Sequence, residues 1–199
     1  MLNQIRAQGA VAAAASLADA LRKGDTSDAI DLLLGCHCRI RHFTTMARRL
    51  AEPEAPSDQI PAAARAVYRY YKVALPLHEA DENQSVYPRL RAAAPPGDLA
   101  DANQAMVDQH VSIDRIIAEL LPQWEALEQH PGTAPATAAA AQRLDEAWRD
   151  HLELEERLIF PALRAHLSQE DRTAIRQEMI ARRNVSGAGA AGVKSGKPQ

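Results

Sequence analysis

Four histidines and two glutamates in this chain fall in a repeated pattern suited to holding metal ions. His78-Glu-Ala-Asp-Glu82 runs on to Pro88-Arg-Leu-Arg91, and His151-Leu-Glu-Leu-Glu155 runs on to Pro161-Ala-Leu-Arg164. Both copies read H-x3-E-x5-P-x-L-R, and they stand 73 residues apart (151 − 78 = 73). The same offset relates two further histidines, His37 and His110 (110 − 37 = 73). The chain therefore carries two units, each with a lone His followed 41 residues on (78 − 37 = 41) by His-x3-Glu. Such self-similarity marks a duplicated supersecondary unit. On a helix, His-x3-Glu puts both side chains on one face, because four residues turn by about 400° and leave roughly 40° between them. Empty, such a set would be costly, since unpaired carboxylates in an apolar core cost several kcal/mol or shift their pKa. A bound cation removes that cost. Six ligands divide naturally between two ions, and a carboxylate can bridge them. Imidazole with carboxylate suits iron, manganese or zinc rather than copper(I).

The elements that must position these groups are helices. Ile30, Leu33, Leu34, His37, Ile40 and Thr44 recur at three- and four-residue steps, so a first helix is expected from the Asp25-Thr-Ser27 cap region to about residue 51. Pro53 and Pro56 end it. A second helix is expected from Pro61 to about residue 94, kinked at Pro76, two residues before His78. A third, from about residue 98 to 130, carries Val107, His110, Ile113, Asp114, Ile117 and Leu121 in one stripe. A fourth, from about 134 to 167, carries Leu144, Trp148, His151, Glu155, Leu158 and Ala162. Long helices joined by short turns predict an all-α, up-down-up-down four-helix bundle over residues 25–168. Residues 1–24 read as an N-terminal helical extension that docks on the bundle, pairs two copies as a homodimer, or frays. Ser168-Gln-Glu-Asp171 reads as the cap of a short C-terminal helix over 169–183, with Arg172, Arg176, Arg182 and Arg183 as a solvated face. The Gly-, Ala- and Ser-rich residues 184–199 read as a disordered tail.

Composition agrees with helices. Of 199 residues, 46% are hydrophobic but only 4% aromatic, and Ala and Leu dominate. A net charge of −3 gives no broad electrostatic attraction for nucleic acid. No stretch has the length of a membrane span, and Ser16, Asp19 and Arg22 interrupt the Ala-rich start, so neither a signal peptide nor a membrane partner is expected. The two cysteines, Cys36 and Cys38, are too close in the chain to staple distant parts of it, which points to a reducing, cytoplasmic setting. They stand about 100° to either side of His37 on a helix. They read as small core or interface residues, or as redox-sensitive thiols.

A single His on an apolar helix face is most often a satisfied core histidine, and one His-x3-Glu recurs by chance in many helices. Two copies with the same x5-P-x-L-R continuation, in register with two more histidines, are a far more specific signal. His42, His130 and His166 fall outside it.

From about residue 27 to 167 the chain resembles the hemerythrin-like, or HHE cation-binding, family, most specifically in His78-x3-Glu82 and His151-Leu-x2-Glu155-Glu-Arg-x3-Pro161. The resemblance implies a four-helix bundle around two iron ions with carboxylate and oxo or hydroxo bridges. It implies that His37 and His78 serve one iron, His110 and His151 the other, and Glu82 and Glu155 bridge. It also implies dioxygen, or a related small molecule, as the partner. Oxygen-carrying members have a fifth His four residues after the third-helix His; here that place holds Asp114, and Glu79 is the other residue able to fill it. An added carboxylate favours the ferric state, which suits sensing, iron handling or oxidation chemistry better than reversible oxygen carriage. Three functions follow for comparison: a di-iron protein that binds or senses oxygen or iron; an oxidase, peroxidase or ferroxidase on the same centre; and a metal-free interaction module. No His has Glu three residues before it, unlike the Glu-x-x-His pairs of ferritin-like enzymes.

Overall fold

The computed structural model describes residues 28–52, 58–131 and 138–191, with side chains to residue 185. Among these residues all regular structure is helical, in five helices. The first, α1, spans Ala29–Leu50. The second, α2, covers residues 60–93 as Ile60–Arg69, Leu75–Asp81 and Tyr87–Ala93 with wider turns at Tyr70–Ala74 and Glu82–Val86 between them. Next come α3, Asp98–Gln129, and α4, residues 138–166, which is Ala138–Leu154 and Phe160–His166 around a wider turn at Glu155–Ile159. Last is α5, Gln169–Ala191. In the core, α1 packs on α2 and α4, and α3 packs on α2 and α4, so the four long helices close a ring.

Local chemistry explains where these helices begin. Asp28 caps α1: its side chain accepts from the Ala29 N–H, and Asp31 reaches back to the Asp28 N–H in a capping box. The expected cap at 25–27 lies outside the described residues, as do the N-terminal extension (1–24) and residues 192–199. Gly97 precedes α3 with φ 118°, a conformation that L side chains rarely adopt, which is why glycine stands there. Ser168 and Asp171 form the expected cap of α5, with Asp171 N–H to Ser168 Oγ at 3.0 Å and Ser168 N–H to Asp171 Oδ2 at 3.2 Å.

At Pro76, where a kink is expected, the helix makes a wider turn. The Leu75 N–H bonds the carbonyl of Tyr70, five residues back, and Pro76 follows at once. The same device precedes Pro88, where Tyr87 N–H bonds Glu82 O, and Pro161, where Phe160 N–H bonds Glu155 O. A proline lacks an N–H and clashes with the carbonyl four residues back; a π turn moves that carbonyl aside. In both copies of the repeat, E-x5-P thus coincides with a π turn whose first residue is the glutamate, whereas Pro122 sits inside α3 without one.

The core is apolar at both ends and polar between. One end gathers Ile40, Leu75, Ile113, Leu120, Trp124, Leu144 and Trp148, and the other Ile30, Leu33, Val86, Leu90, Met106, Phe160 and Leu163. In each of the four helices the His of the repeat, joined in α2 and α4 by its Glu, lies between these two sets. Each fully buried large side chain contributes roughly 1.5–3 kcal/mol, so the two apolar ends hold the polar layer in place.

Two expectations for the C-terminal region are corrected. First, α5 is longer than 169–183: it runs to Ala191, through residues assigned to a disordered tail. No proline interrupts it, and Gly187 and Gly189 each weaken a helix by only about 1 kcal/mol relative to Ala. Second, its arginines are not a solvated face. Arg172 pairs with Asp28 at 3.5 Å and donates to the Leu167 carbonyl, while Arg182 and Arg183 turn inward to Asp81. Fully buried Asp81 requires cationic partners, and these two arginines supply them.

Trp124 is one of two fully buried tryptophans in the first apolar end, stacked on Tyr71 with ring centroids 5.1 Å apart. Trp124→Ala is expected to cost about 3–5 kcal/mol of folding stability, read as a lowered denaturant midpoint with an unchanged m-value.

Candidate metal centre

His37, His78, Glu82, His110, His151 and Glu155 meet in the polar layer, all buried. Their ligand atoms form two groups within 4.8 Å: His37, His78, Glu82 and Glu155, and Glu82, His110, His151 and Glu155. Both glutamates belong to both groups. Glu155 places Oε2 2.9 Å from His37 Nε2 and Oε1 3.3 Å from His151 Nε2. Glu82 places Oε1 3.3 Å from His78 Nε2 and Oε2 3.1 Å from His110 Nε2.

The outward nitrogens fix the tautomers. His37 Nδ1 donates to Glu156 Oε1 at 2.8 Å, which also accepts from Arg41 Nη2 at 2.8 Å. His110 Nδ1 donates to Asn83 Oδ1 at 3.0 Å, and His151 Nδ1 to Gln109 Oε1 at 2.9 Å. With Nδ1 carrying hydrogen, each neutral ring turns the Nε2 lone pair inward. His110 Nε2 and His151 Nε2 then face each other at 3.1 Å, lone pair to lone pair. The inward atoms His37 Nε2, His78 Nε2 and all four oxygens of Glu82 and Glu155 have no hydrogen-bond partner. Buried acceptors facing acceptors are repulsive unless a cation lies between them. The donor set and its orphaned atoms therefore fit metal ions.

Electrostatics point the same way. Burial and the neighbouring His37 hold His78 well below the usual histidine range, and burial with the nearby His151 brings His110 down to about 4. The unfolded chain gains protons more readily, so the stability these neutral rings carry above about pH 6.5 is lost as pH falls toward 4. Burial and the charge of Glu155 push Glu82 up; Glu155 itself, against the same burial, is held down by His151 and His37.

Glu79 and Asp114 fall in neither four-residue group. Asp114 is exposed. Glu79 is buried, with Oε1 unpartnered, and burial together with the charge of Asp114 raises its carboxyl to about 8. Cys36 is buried, and Cys38 is exposed.

The outer partners were not found from the sequence, although the repeat contains a signal for two of them. Asn83 and Glu156 each follow the glutamate of their unit and differ by the same offset (156 − 83 = 73). Each holds the lone His of the opposite unit. Gln109 has Cys36 as its counterpart (109 − 36 = 73), and the ring Cys36 would be expected to serve, His78, has an unpartnered Nδ1. The two halves are thus related by the repeat but unequal in what holds their imidazoles: a carboxylate, two amides, and for His78 no acceptor.

A helical bundle whose polar middle layer is a buried His/carboxylate cluster suited to a metal ion defines the class of protein. Residues 28–163 match the hemerythrin HHE cation-binding domain, and the chain belongs to that family. No curated protein matches it.

Two measurements test this electrostatic picture. Glu79 binds a proton more tightly folded than unfolded, so it costs stability increasingly as pH rises from about 4.5 to about 8. Metal-free Glu79→Gln should melt near the parent at pH 5 and clearly above it at pH 8. Glu156→Gln keeps the shape but weakens the acceptor for His37, and metal affinity should fall by about 10- to 100-fold in a competition titration.

Proposed function

We propose that this chain is a di-iron protein that binds or senses oxygen or iron through the polar layer of an up-down-up-down four-helix bundle. One observation carries the reading: Glu82 and Glu155 are shared by both ligand groups, which suits two ions held by bridging carboxylates. The ring in which α1 and α3 each pack on both α2 and α4 supports the topology. Imidazole and carboxylate together suit iron, as they do manganese or zinc, rather than copper(I). The free thiols of Cys36 and Cys38 accord with a cytoplasmic setting.

His37 and His78 would hold one ion, and His110 and His151 the other. When bound, the irons would supply one-electron chemistry and affinity for dioxygen. The rest belongs to the protein. Glu156, Asn83 and Gln109 keep three imidazoles in the metal-binding tautomer and orientation. Phe160 packs on His37, with ring centroids 4.9 Å apart, and Trp148 on His151 at 5.3 Å, so apolar rings exclude water from both sides of the layer. Glu79 fills the place of a fifth histidine better than Asp114 does, because it is buried with a free oxygen while Asp114 faces solvent. A further carboxylate adds negative charge and favours the ferric state, which suits sensing rather than repeated oxygen carriage.

Anaerobic titration with ferrous iron should give two ions per chain, and no more than one after Glu155→Ala or Glu82→Ala. A parent chain that takes up no iron overturns the proposal. Reduced protein that binds and releases dioxygen over many cycles without oxidising overturns sensing in favour of carriage. Turnover of an added electron donor moves the function to an oxidase, peroxidase or ferroxidase.

A further inference from the structure

Helix α5 lies outside residues 28–163, so the family match does not account for it. Its polar side chains grip the turn that carries Glu82. Asp81 immediately precedes Glu82 and is fully buried. Arg182 Nη1 meets Asp81 Oδ1 at 2.8 Å, and Arg183 Nη2 meets Oδ2 at 2.6 Å. Arg182 Nη2 also donates to Ser85 Oγ at 2.6 Å, three residues beyond Glu82 in the same π turn. Ser85 donates to Glu178 Oε2 at 2.5 Å, and Arg89 closes the network by donating to Glu178 Oε1 at 2.6 Å. On the neighbouring helix, Arg183 Nη2 lies 3.9 Å from Sγ of Cys36, the residue before His37.

Among the described residues, the other half of the repeat has nothing comparable. The counterparts of Asp81, Ser85 and Arg89 at the 73-residue offset are Leu154, Leu158 and Ala162. Leu158 is 50% exposed where Ser85 is fully covered. Among the described residues, the Glu82 turn is tied to α5 by these polar contacts and the Glu155 turn is not.

We infer that Arg182 and Arg183 are positioning residues for the metal centre, and that docking of α5 is coupled to metal binding. This rests on the reading of the polar layer as a metal site. The physical link is short. Without its two guanidinium partners, Asp81 is an uncompensated buried charge, and the inexpensive relief is to turn toward water. Such a turn carries Glu82 with it, because the two residues are adjacent in one helical turn. Coupling is reciprocal: if docked α5 favours metal, bound metal favours docked α5. A helix whose docking reports the state of the core is a means by which a sensing domain could pass its signal outward.

The test uses the full chain and cobalt(II) as the probe. In Arg182→Ala/Arg183→Ala, cobalt affinity should fall by about tenfold and the visible cobalt bands should shift. Arg182→Lys/Arg183→Lys should recover most of the affinity. In the parent chain, cobalt should slow amide hydrogen exchange across Gln169–Ala191, a readout that needs no variant and stands even if the double alanine variant fails to fold. A parent chain that binds no cobalt overturns the metal reading itself. If the parent binds cobalt, then either equal affinity in the double alanine variant or α5 exchange indifferent to cobalt overturns the coupling and leaves the metal centre standing.

Discussion

Two glutamates face four imidazoles inside an apolar bundle, and their oxygens accept no hydrogen bond. Most of the architecture follows from that constraint. Ionised carboxylates out of water cost several kcal/mol each unless charge or hydrogen bonds compensate them. Here the nearest polar atoms are imidazole nitrogens whose tautomers are set, for three of the four rings, by acceptors farther out. The layer is thus built to present lone pairs to a common centre. Apolar packing at both ends holds it there, so opening the site means separating two sets of well-packed side chains.

The backbone is shaped by the same requirement. A regular α-helix through Glu82 or Glu155 would bring the carbonyl of Gln84 or Arg157 against the ring of Pro88 or Pro161. The π turns remove this conflict and widen the helix at the position from which each glutamate enters the core. A third π turn, Tyr70–Ala74, absorbs Pro76 just above His78. Irregular helix geometry and ligand geometry therefore arise from one local device used repeatedly.

Duplication gives the centre its two-fold character, and substitutions within the repeat remove its equality. Glu156 stands opposite Asn83, Gln109 opposite Cys36, and the polar grip of α5 on Asp81 and Ser85 opposite bare Leu154 and Leu158. A carboxylate acceptor makes its imidazole a stronger donor than an amide does, so the two ligand groups differ in the basicity of their imidazoles.

Much of this could be read from residue order, for a physical reason. Helical periodicity and ligand spacing are local: His-x3-Glu repeated at a fixed offset already places six groups on core-facing stripes, and E-x5-P already encodes a proline that a helix must accommodate. Interactions across helices are different in kind. Glu156 meets His37 across 119 residues and Arg183 meets Asp81 across 102, and nothing in either segment alone specifies the rotation and crossing that bring them together. For the same reason Arg182 and Arg183 read as solvated when α5 is considered by itself, since a charged helix face looks exposed until a buried carboxylate on another helix claims it. The sequence could supply the ligands and their symmetry; their outer partners, the inequality of the two halves and the place of α5 depend on packing between helices.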